Sequence, residues 1–264
     1  MRDAPVALVT GATGDIGRSV CFALANEGLH LVLIGRDQSR LEQARKELER
    51  SECEVRVLSM QGTVHAGEET RAIQEAVAAL GGRLDVLVAA SGGINLFGKW
   101  DEVPDEAWHE AFQVNFLDSV TLLRAAVPLM QGAHPRIILI SSFVATSPGK
   151  WNPHYSVAKA GQVHLVKHLA NVLGERGFMV NSVSPAYTKT GGLIRSLGNS
   201  APGASEQSQD FVNMRVEQMA DSLPIGRLVE PQELAEVIRF LAVGPPVLSG
   251  LDLLVDAGMS VTRN

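Results

Sequence analysis

The chain is poor in cysteine and in aromatic side chains and has no excess positive charge, and the first and last of these features each argue against a class of protein. Only 2 of its 264 residues are cysteines, 5% are aromatic, and the formal net charge is −6. Such a cysteine content is not a disulfide framework, so we interpret Cys21 and Cys53 as unpaired thiols in a reducing cytoplasm. The acidic balance, with no cluster of Lys and Arg, predicts no nucleic-acid partner.

Long apolar runs are missing as well. A membrane-spanning helix needs about 20 predominantly apolar residues, and no run in the sequence approaches that length. The first core strand begins by Val6, which leaves no room for a signal peptide ahead of it. We therefore expect no membrane partner and a cytoplasmic location.

The chain instead contains an alternation of strand patterns and helical patterns. Its hydrophobic content of 45% can fill one large core at this length. Most strand patterns are rich in Val, Ile and Leu, as expected for strands that are buried on both faces. The alternation predicts an α/β fold, a single Rossmann-type domain over residues 1–264 with a doubly wound parallel sheet of about seven strands and helices on both faces. The predicted strands are 6–10, 29–35, 54–60, 84–90, 136–142, 178–184 and 251–256, and the predicted helices are 16–27, 38–50, 67–80, 105–130, 154–176 and 231–243.

One long segment, 189–222, does not fit the alternation. It is rich in Gly, Ser, Gln and Met, and a long irregular segment in a compact domain is usually functional or disordered. We interpret it as a substrate lid, mobile in the free protein, whose short helices dock over an apolar surface. The apolar residues that recur there at helix-like spacing are Leu193, Ile194, Phe211, Met214 and Met219.

Three polar residues have the spacing of a proton-transfer site. Ser142 closes the apolar run 136–142, which is a predicted buried strand. Tyr155 and Lys159 are four positions apart in a helical pattern, so both side chains project from one face. A nearby ammonium favours the phenolate and lowers the pKa of a tyrosine by roughly 1–3 units from its ordinary value of about 10. Such a hydroxyl can exchange the proton that a reaction at a carbonyl or alcohol carbon requires.

An isolated Tyr-x-x-x-Lys pattern would indicate two solvated side chains, but a glycine-rich turn at the other end of the chain changes that interpretation. Residues 10–17 follow the first strand and open the first helix. Glycines at such a turn let the backbone approach a pyrophosphate, and the helix N-terminus offers it N–H groups and partial positive charge. Together with the first motif, the turn predicts a dinucleotide site. Its predicted cofactor contacts are Gly11, Thr13, Gly14, Asp15, Ile16 and Gly17.

These motifs resemble those of the short-chain dehydrogenase/reductase family, and the resemblance extends from Val6 to about Gly258. Asn115 matches the active-site Asn of that family. The further matching segments are 181–185, 224–227 and 255–258.

The resemblance implies an NAD(P)-dependent oxidoreductase that interconverts a ketone and a secondary alcohol, a 3-oxoacyl reductase-like or other carbonyl reductase. Tyr155 would donate or accept the proton, and Ser142 would hold the substrate carbonyl. Lys159 would lower the pKa of Tyr155 and bind the nicotinamide ribose, while Asn115 would hold a water that connects Lys159 to solvent. The alternative for Asn115 is a polar residue within a helix that satisfies backbone groups. The other expected cofactor contacts are Ala89, Gly92, Pro185 and Thr188.

The end of the second predicted strand favours NADP(H) over NAD(H). An acidic residue there would bind the ribose hydroxyls of NAD and repel the 2′-phosphate of NADP. In the family that acid would fall at position 35, where this chain has Gly35, and Arg36 follows. A guanidinium grips a phosphate through forked hydrogen bonds. The alternative is a solvated Arg36 with Asp37 turned toward the ribose, which would suit NAD(H).

Three departures from the family pattern concern the cofactor. The glycine turn has the spacing of the family's longer-chain branch and carries Asp15 where the shorter-chain branch has glycine. Asp15 can cap the following helix, but its charge would repel a pyrophosphate if it pointed inward. Residues 89–92 read Ala-Ala-Ser-Gly in place of Asn-Asn-Ala-Gly, and an adenine-contacting Asp is missing from 60–63. These departures predict weaker cofactor binding.

Several polar residues near the motif are assigned no chemistry. Alternation along the strand places Ser141 on the face opposite Ser142. We interpret His154 as a surface residue because its helix position aims it away from the motif. His164 and His168 have no third ligand nearby in the sequence, so no metal site is predicted.

A second class of function stays open, because the fold can be kept as a cofactor-sensing or scaffold protein after catalysis is lost. A sensor has no need of the proton donor Tyr155, which favours an enzyme. Its small-molecule carbonyl or alcohol substrate is not specified by the sequence, so steroid, acyl thioester, quinone and small ketone all remain open. The resemblance also implies a homo-oligomer, a dimer or tetramer formed through helices 105–130 and 154–176.

Overall fold

The centre of the protein is a parallel β-sheet. The computed structural model describes residues 4–49, 53–60, 68–94, 96–199 and 207–261. The strands are β1 (Val6–Thr10), β2 (His30–Gly35), β3 (Val55–Ser59), β4 (Val86–Ala89), β5 (Arg136–Ile140), β6 (Met179–Pro185) and β7 (Asp252–Val255). They form one sheet in the order β3-β2-β1-β4-β5-β6-β7, and every neighbouring pair is parallel. This is the predicted doubly wound α/β fold, with strand ends that differ from the predicted ones by a few residues.

Helices cover both faces of the sheet. Apolar residues of α1, α2 and α9 form one core layer, and those of α3, α5 and α6 form the other. No helix in the described ranges combines the length and apolar character that a membrane crossing requires. The α-helices are α1 (Asp15–Asn26), α2 (Gln38–Leu48), α3 (Glu68–Ala78), α4 (Asp105–Phe112), α5 (Asp118–Ala126), α6 (Pro153–Gly174), α7 (Gly191–Asn199), α8 (Gln207–Asp221) and α9 (Pro231–Val243).

Local capping signals set where several of these helices begin. The Asp37 carboxylate accepts hydrogen bonds from the backbone N–H groups of Ser39 (2.9 Å) and Arg40 (3.1 Å) and so caps α2. At α9, Glu230 and Glu233 form a reciprocal capping box. Each device satisfies N–H groups that the first turn of a helix leaves without partners.

The helix predicted over 105–130 is confirmed as a helical segment over 105–129, but it is not a regular α-helix throughout. A π-helical turn, Gln113–Leu117, lies between α4 and α5. Within it the Asn115 side-chain amide donates to the backbone carbonyl of Ala111, four residues earlier, at 3.1 Å. A side chain that competes for that carbonyl favours a local widening of the helix, and such widened turns are frequent at functional sites.

The segment 189–222 contains two helices, α7 and α8, and the residues between them lie outside the described ranges. Its stem is fixed by a parallel bridge between Thr188 and Val229. Of its apolar residues, Leu197 and Val212 are buried, whereas Met214 is 45% exposed. Helix-like spacing was therefore a sound indication of helices here, but Met214 does not dock as expected.

Candidate active site

The predicted site residues gather at the carboxyl edge of the sheet. The order of the strands reverses between β1 and β4, and β5 lies next to β4. In open α/β sheets the crevice at this switch point is where ligands bind. The glycine turn follows β1, Gly92 follows β4, and Ser142 follows β5.

The glycine turn packs closely against the loop that follows β4. Gly11 has a φ of 63°, and a Cβ on it would lie 2.6 Å from the carbonyl oxygen of Ala90. Only glycine fits there without moving that backbone. Gly14 is the N-cap of α1 and supplies no side-chain cap, so the first-turn N–H groups of α1 remain available to an anion such as a pyrophosphate.

The Asp15 carboxylate would repel a bound pyrophosphate if it pointed toward it, but in the structure it is hydrogen-bonded elsewhere. Asp15 Oδ2 accepts a hydrogen bond from the backbone N–H of Gly191, the first residue of α7, at 2.8 Å. The carboxylate thus links the glycine turn to the proposed lid. The signal in the sequence was the unusual acid itself, but its partner is 176 residues away and could not be foreseen.

The Tyr155 phenol lies near the side chain of Ser142, which follows β5. Burial raises the pKa of the Tyr155 phenol, and the nearby Ser142 hydroxyl opposes that rise only in part. The predicted depression of this pKa is therefore wrong. The cause is desolvation, which penalises the phenolate, while the Lys159 ammonium nitrogen lies 5.8 Å from the Tyr155 ring centroid.

Lys159 is 3% exposed and makes two hydrogen bonds in the interior. Its Nζ donates to the carbonyl oxygen of Ile140 at 2.7 Å and to Oε1 of Gln162 at 3.0 Å. Burial lowers the pKa of the ammonium to about 7. Burial therefore works against the charged form of Lys159, and the two acceptor oxygens work in its favour.

Asn115 joins the π-helical turn to the loop after β4. Its Oδ1 accepts from the Gly93 N–H at 2.9 Å, and its Nδ2 donates to the Gly93 carbonyl at 3.0 Å in addition to Ala111. These bonds match the alternative interpretation, a side chain that satisfies backbone groups. The role of Asn115 in holding a water stays a prediction.

Gly92 leaves open the space in front of these side chains. It has a φ of 141°, and a Cβ on it would lie 2.7 Å from Asn115 Oδ1 and 3.2 Å from Lys159 Nζ. Any larger residue would fill the gap between the loop and the Lys159 ammonium. Glycine thus keeps the loop clear of the Asn115 and Lys159 side chains, and the contact between Gly92 and the cofactor stays a prediction.

Near the end of β2, Asp37 is committed to capping α2 rather than turned toward a ribose. The nearby Arg40 donates from its guanidinium to the Thr13 carbonyl in the glycine turn at 2.7 Å. This second basic residue beside the turn was missed, because its helical position hides its proximity to Thr13. At Arg36, the backbone carbonyl oxygen accepts a hydrogen bond from the Ser59 hydroxyl at 3.1 Å. Contact between the Arg36 guanidinium and a 2′-phosphate stays a prediction.

The remaining predicted cofactor contacts lie along the same edge. Ala89 ends β4 and Pro185 ends β6, while Thr188 follows in the stem of the proposed lid, with its hydroxyl donating to the Ala186 carbonyl at 3.2 Å. The segment that lacks the adenine-contacting Asp falls mostly on 61–63, outside the described residues.

His154 is not the surface residue that its position in the sequence suggested. It is 2% exposed, and the Trp108 ring of α4 meets it edge-on with 6.1 Å between ring centroids. Burial lowers its pKa. The prediction failed because α4 covers the start of α6, a tertiary contact without a local signal.

Ser141, which was assigned no chemistry, has a structural role. Its hydroxyl donates a hydrogen bond to the backbone carbonyl of Lys159 at 3.1 Å.

The site thus combines a glycine turn suited to a phosphate with two neighbouring hydroxyls and a buried ammonium, all at the switch point of a parallel sheet. Backbone and side chains here fit a dinucleotide, since glycines leave room for it and donors face the space it would take. This combination defines the class of nicotinamide-dependent oxidoreductases.

Comparisons with known proteins agree with that class. The family model described as short chain dehydrogenase matches residues 5–197. Human dehydrogenase/reductase SDR family member 4 is 30% identical over 240 residues, covering 89% of this chain and 80% of its own. L-rhamnose 1-dehydrogenase (NAD(P)(+)) of Sphingomonas sp. is 29% identical, with 96% and 95% covered. L-sorbose reductase of Gluconobacter frateurii, solved with NADPH and L-sorbose, is 27% identical with a TM-score of 0.87 and covers 98% of each chain.

The chain belongs to the short-chain dehydrogenase family, and it is an NAD(P)-dependent oxidoreductase.

Proposed function

We propose that this oxidoreductase is an NADP(H)-dependent carbonyl reductase that interconverts a ketone and a secondary alcohol, with Tyr155 as proton donor or acceptor. The observation that carries the proposal is the placement of the Tyr155 phenol near the Ser142 side chain, with the buried Lys159 ammonium nitrogen 5.8 Å from the Tyr155 ring centroid. Two hydroxyls beside one cation, Lys159, are suited to an oxygen that changes from carbonyl to alcohol.

In this proposal each side chain has a distinct task. Ser142 binds the substrate oxygen and positions the carbonyl carbon, and Tyr155 transfers its O–H proton to that oxygen as negative charge develops. The raised pKa of Tyr155 favours the protonated phenol, which is the form that donates the proton when a ketone is reduced. The Lys159 ammonium stabilises the phenolate that remains.

A bound nicotinamide cofactor would supply or accept the hydride in this reaction. NADP(H) is favoured over NAD(H) because Gly35 stands where an acid would bind ribose hydroxyls, because Arg36 follows it in the sequence, and because Arg40 contacts the glycine turn. The commitment of Asp37 to helix α2 also supports this choice. The residues that would hold the cofactor are Gly11, Thr13, Gly14, Asp15, Ile16, Gly17, Arg36, Ala89, Gly92, Tyr155, Lys159, Pro185 and Thr188.

The segment 189–222 is the proposed substrate lid, since its stem carries Thr188 and its first helix is bound to Asp15.

A ketone is the proposed substrate class. The similarity to a protein named L-sorbose reductase and to one named L-rhamnose 1-dehydrogenase supports hydroxylated ketones and alcohols as first candidates. A 3-oxoacyl ester is the other candidate.

The experiment that tests the proposal follows NADPH absorbance while the purified protein is mixed with a panel of ketoses, 3-oxoacyl esters, quinones and steroid ketones. We expect oxidation of NADPH with at least one ketone, and slower oxidation of NADH. Tight NADPH binding without turnover of any member would favour the sensing or scaffold alternative.

A further inference from the structure

Gln162 is a fully buried amide one helical turn after Lys159 on α6. It is 0% exposed. An amide in the interior is costly unless both of its ends are hydrogen-bonded. Here Oε1 accepts from Lys159 Nζ at 3.0 Å, and Nε2 donates to Oγ of Ser119 at 2.8 Å. Ser119 lies on α5 and is itself 6% exposed, so a second helix holds the amide in its orientation.

The two acceptors determine how the Lys159 ammonium is presented. A lysine ammonium carries three N–H donors, and those toward Ile140 and Gln162 are already used. One donor is left for the side of the nitrogen where Gly92 and Tyr155 lie. The long lysine side chain is otherwise flexible, and its ordering is entropically costly. Gln162 and Ile140 therefore hold it in place before any cofactor arrives.

The surroundings of Lys159 contain little that could otherwise compensate its charge. No ion pair reaches Lys159 within the described part of the chain. The groups that face it are the Ile140 carbonyl after β5, Gly92 after β4, Asn115 in the π-helical turn, and Tyr155 and Gln162 on α6. Tyr155 is the sole titratable group among these neighbours, so the acceptor oxygens carry the stabilisation of the ammonium.

We infer that Gln162, oriented by Ser119, is a positioning residue that keeps Lys159 charged and directed at the cofactor ribose and Tyr155. The inference rests on the proposed function, because it assumes that Lys159 binds the ribose of a nicotinamide cofactor. A hydrogen bond to the charged form of a group favours that form. Loss of the Gln162 acceptor must therefore make the ammonium lose its proton at lower pH.

The test compares Gln162→Met, which keeps the volume but removes the acceptor, with Gln162→Glu, which keeps an acceptor and adds charge. NADPH affinity is measured by tryptophan fluorescence across pH, and kcat/KM is measured over the same range for a ketone that the panel experiment identifies as a substrate. The pH dependence that survives in Lys159→Met is subtracted, because it belongs to other groups, including the 2′-phosphate.

NADPH affinity and kcat/KM should both fall at alkaline pH as Lys159 loses its proton. For Gln162→Met we expect the midpoint of this fall to lie about one pH unit lower than in wild type. Gln162→Glu should move it higher, and Ser119→Ala should move it lower by a smaller amount. Val163→Ala, a neighbouring buried position on α6, should leave the midpoint unchanged. Opposite shifts from two substitutions at one site distinguish a charge effect from a packing defect.

A folded Gln162→Met protein with the wild-type midpoint would overturn the inference, as would shifts of one sign for both Gln162 variants. If Gln162→Met does not fold, Gln162→Glu and Ser119→Ala carry the test. The binding profile does not need turnover. A shifted midpoint in a protein that reduces no ketone would therefore support the role of Gln162 while contradicting the proposed function.

Discussion

At the scale of single residues, Lys159 combines burial with function. Burial lowers the pKa of its ammonium to about 7 in the folded protein, whereas a lysine in an unfolded chain has a pKa of about 10.4. Between these pH values the unfolded chain binds more protons than the native one, so this group makes the native state more stable as pH rises. The cost of the buried charge is greatest below the folded pKa.

This linkage gives a signed prediction for stability. Relative to Lys159→Met, the wild-type protein should gain free energy of unfolding as pH increases from about 7 to about 10. Urea unfolding of both proteins at several pH values measures the difference. A difference that does not change with pH would show that Lys159 titrates normally in the folded protein.

The choice of cofactor also rests on single residues. Arg36→Ala should weaken NADPH binding by roughly tenfold or more and NADH binding much less, because a charge-assisted hydrogen bond contributes about 1.5–3 kcal/mol. Titration of both cofactors by fluorescence measures the two losses. Arg239→Ala is a suitable control, since Arg239 pairs with Glu27 and Glu236. Equal losses for NADPH and NADH would exclude contact between Arg36 and the 2′-phosphate.

Sequence patterns located the reacting groups but not their electrostatic setting. Ser142, Tyr155 and Lys159 could be predicted to meet because strand ends and helix faces obey simple periodicities. The raised pKa of Tyr155 and the buried position of His154 depend on what covers them, and no local pattern reports that. Gln162 gives no signal in the sequence, since one polar residue on a long helix resembles a solvated one.

At the scale of elements, the π-helical turn between α4 and α5 shows a similar limit. Helical periodicity over 105–130 gave the correct type of structure and the correct faces. It could not give the π-helical turn, because that turn depends on Asn115 bonding both Ala111 and Gly93, and Gly93 belongs to a distant loop. Strand positions were better predicted, since runs of Val, Ile and Leu such as β5 have few alternatives.

The proposed lid provides a prediction at this scale. In hydrogen-exchange measurements, α7 and α8 should gain protection when NADP(H) and substrate bind, because ordering over the site would exclude water. Asp15→Ala should lower the protection of α7 in the free protein, since the bond to Gly191 is lost, and peptides from α9 should not respond. Protection that is already high in the free protein and unaffected by ligands would make 189–222 a fixed wall.

At the scale of the whole molecule, the fold was predictable because local propensity, apolar pattern and turn residues all indicate the same architecture. The quaternary structure is less directly encoded. Leu165 and Leu169 pack against the core, so they do not mark an interface by themselves. Exposed apolar residues do remain on α6, with Val157 49% and Val172 50% exposed, and this favours association through that helix.

We therefore predict a dimer or tetramer, since apolar surface of this kind is more stable when covered by a second copy. Light scattering at micromolar concentration should report a multiple of the chain mass of 28.2 kDa, and Val172→Glu should shift the population toward smaller species. A single species at the chain mass for the wild-type protein would contradict this prediction.

The measurement that tests the central claim most directly is the turnover of Tyr155→Phe with NADPH and a ketone substrate. The substitution removes one hydroxyl, so the fold and NADPH binding should be retained while turnover falls by about 10²–10⁴-fold. Tyr187→Phe, at the other of the 2 tyrosines in the chain, is the matched control and should stay close to wild type. Turnover of Tyr155→Phe within a few-fold of wild type would contradict the assignment of Tyr155 as the proton donor.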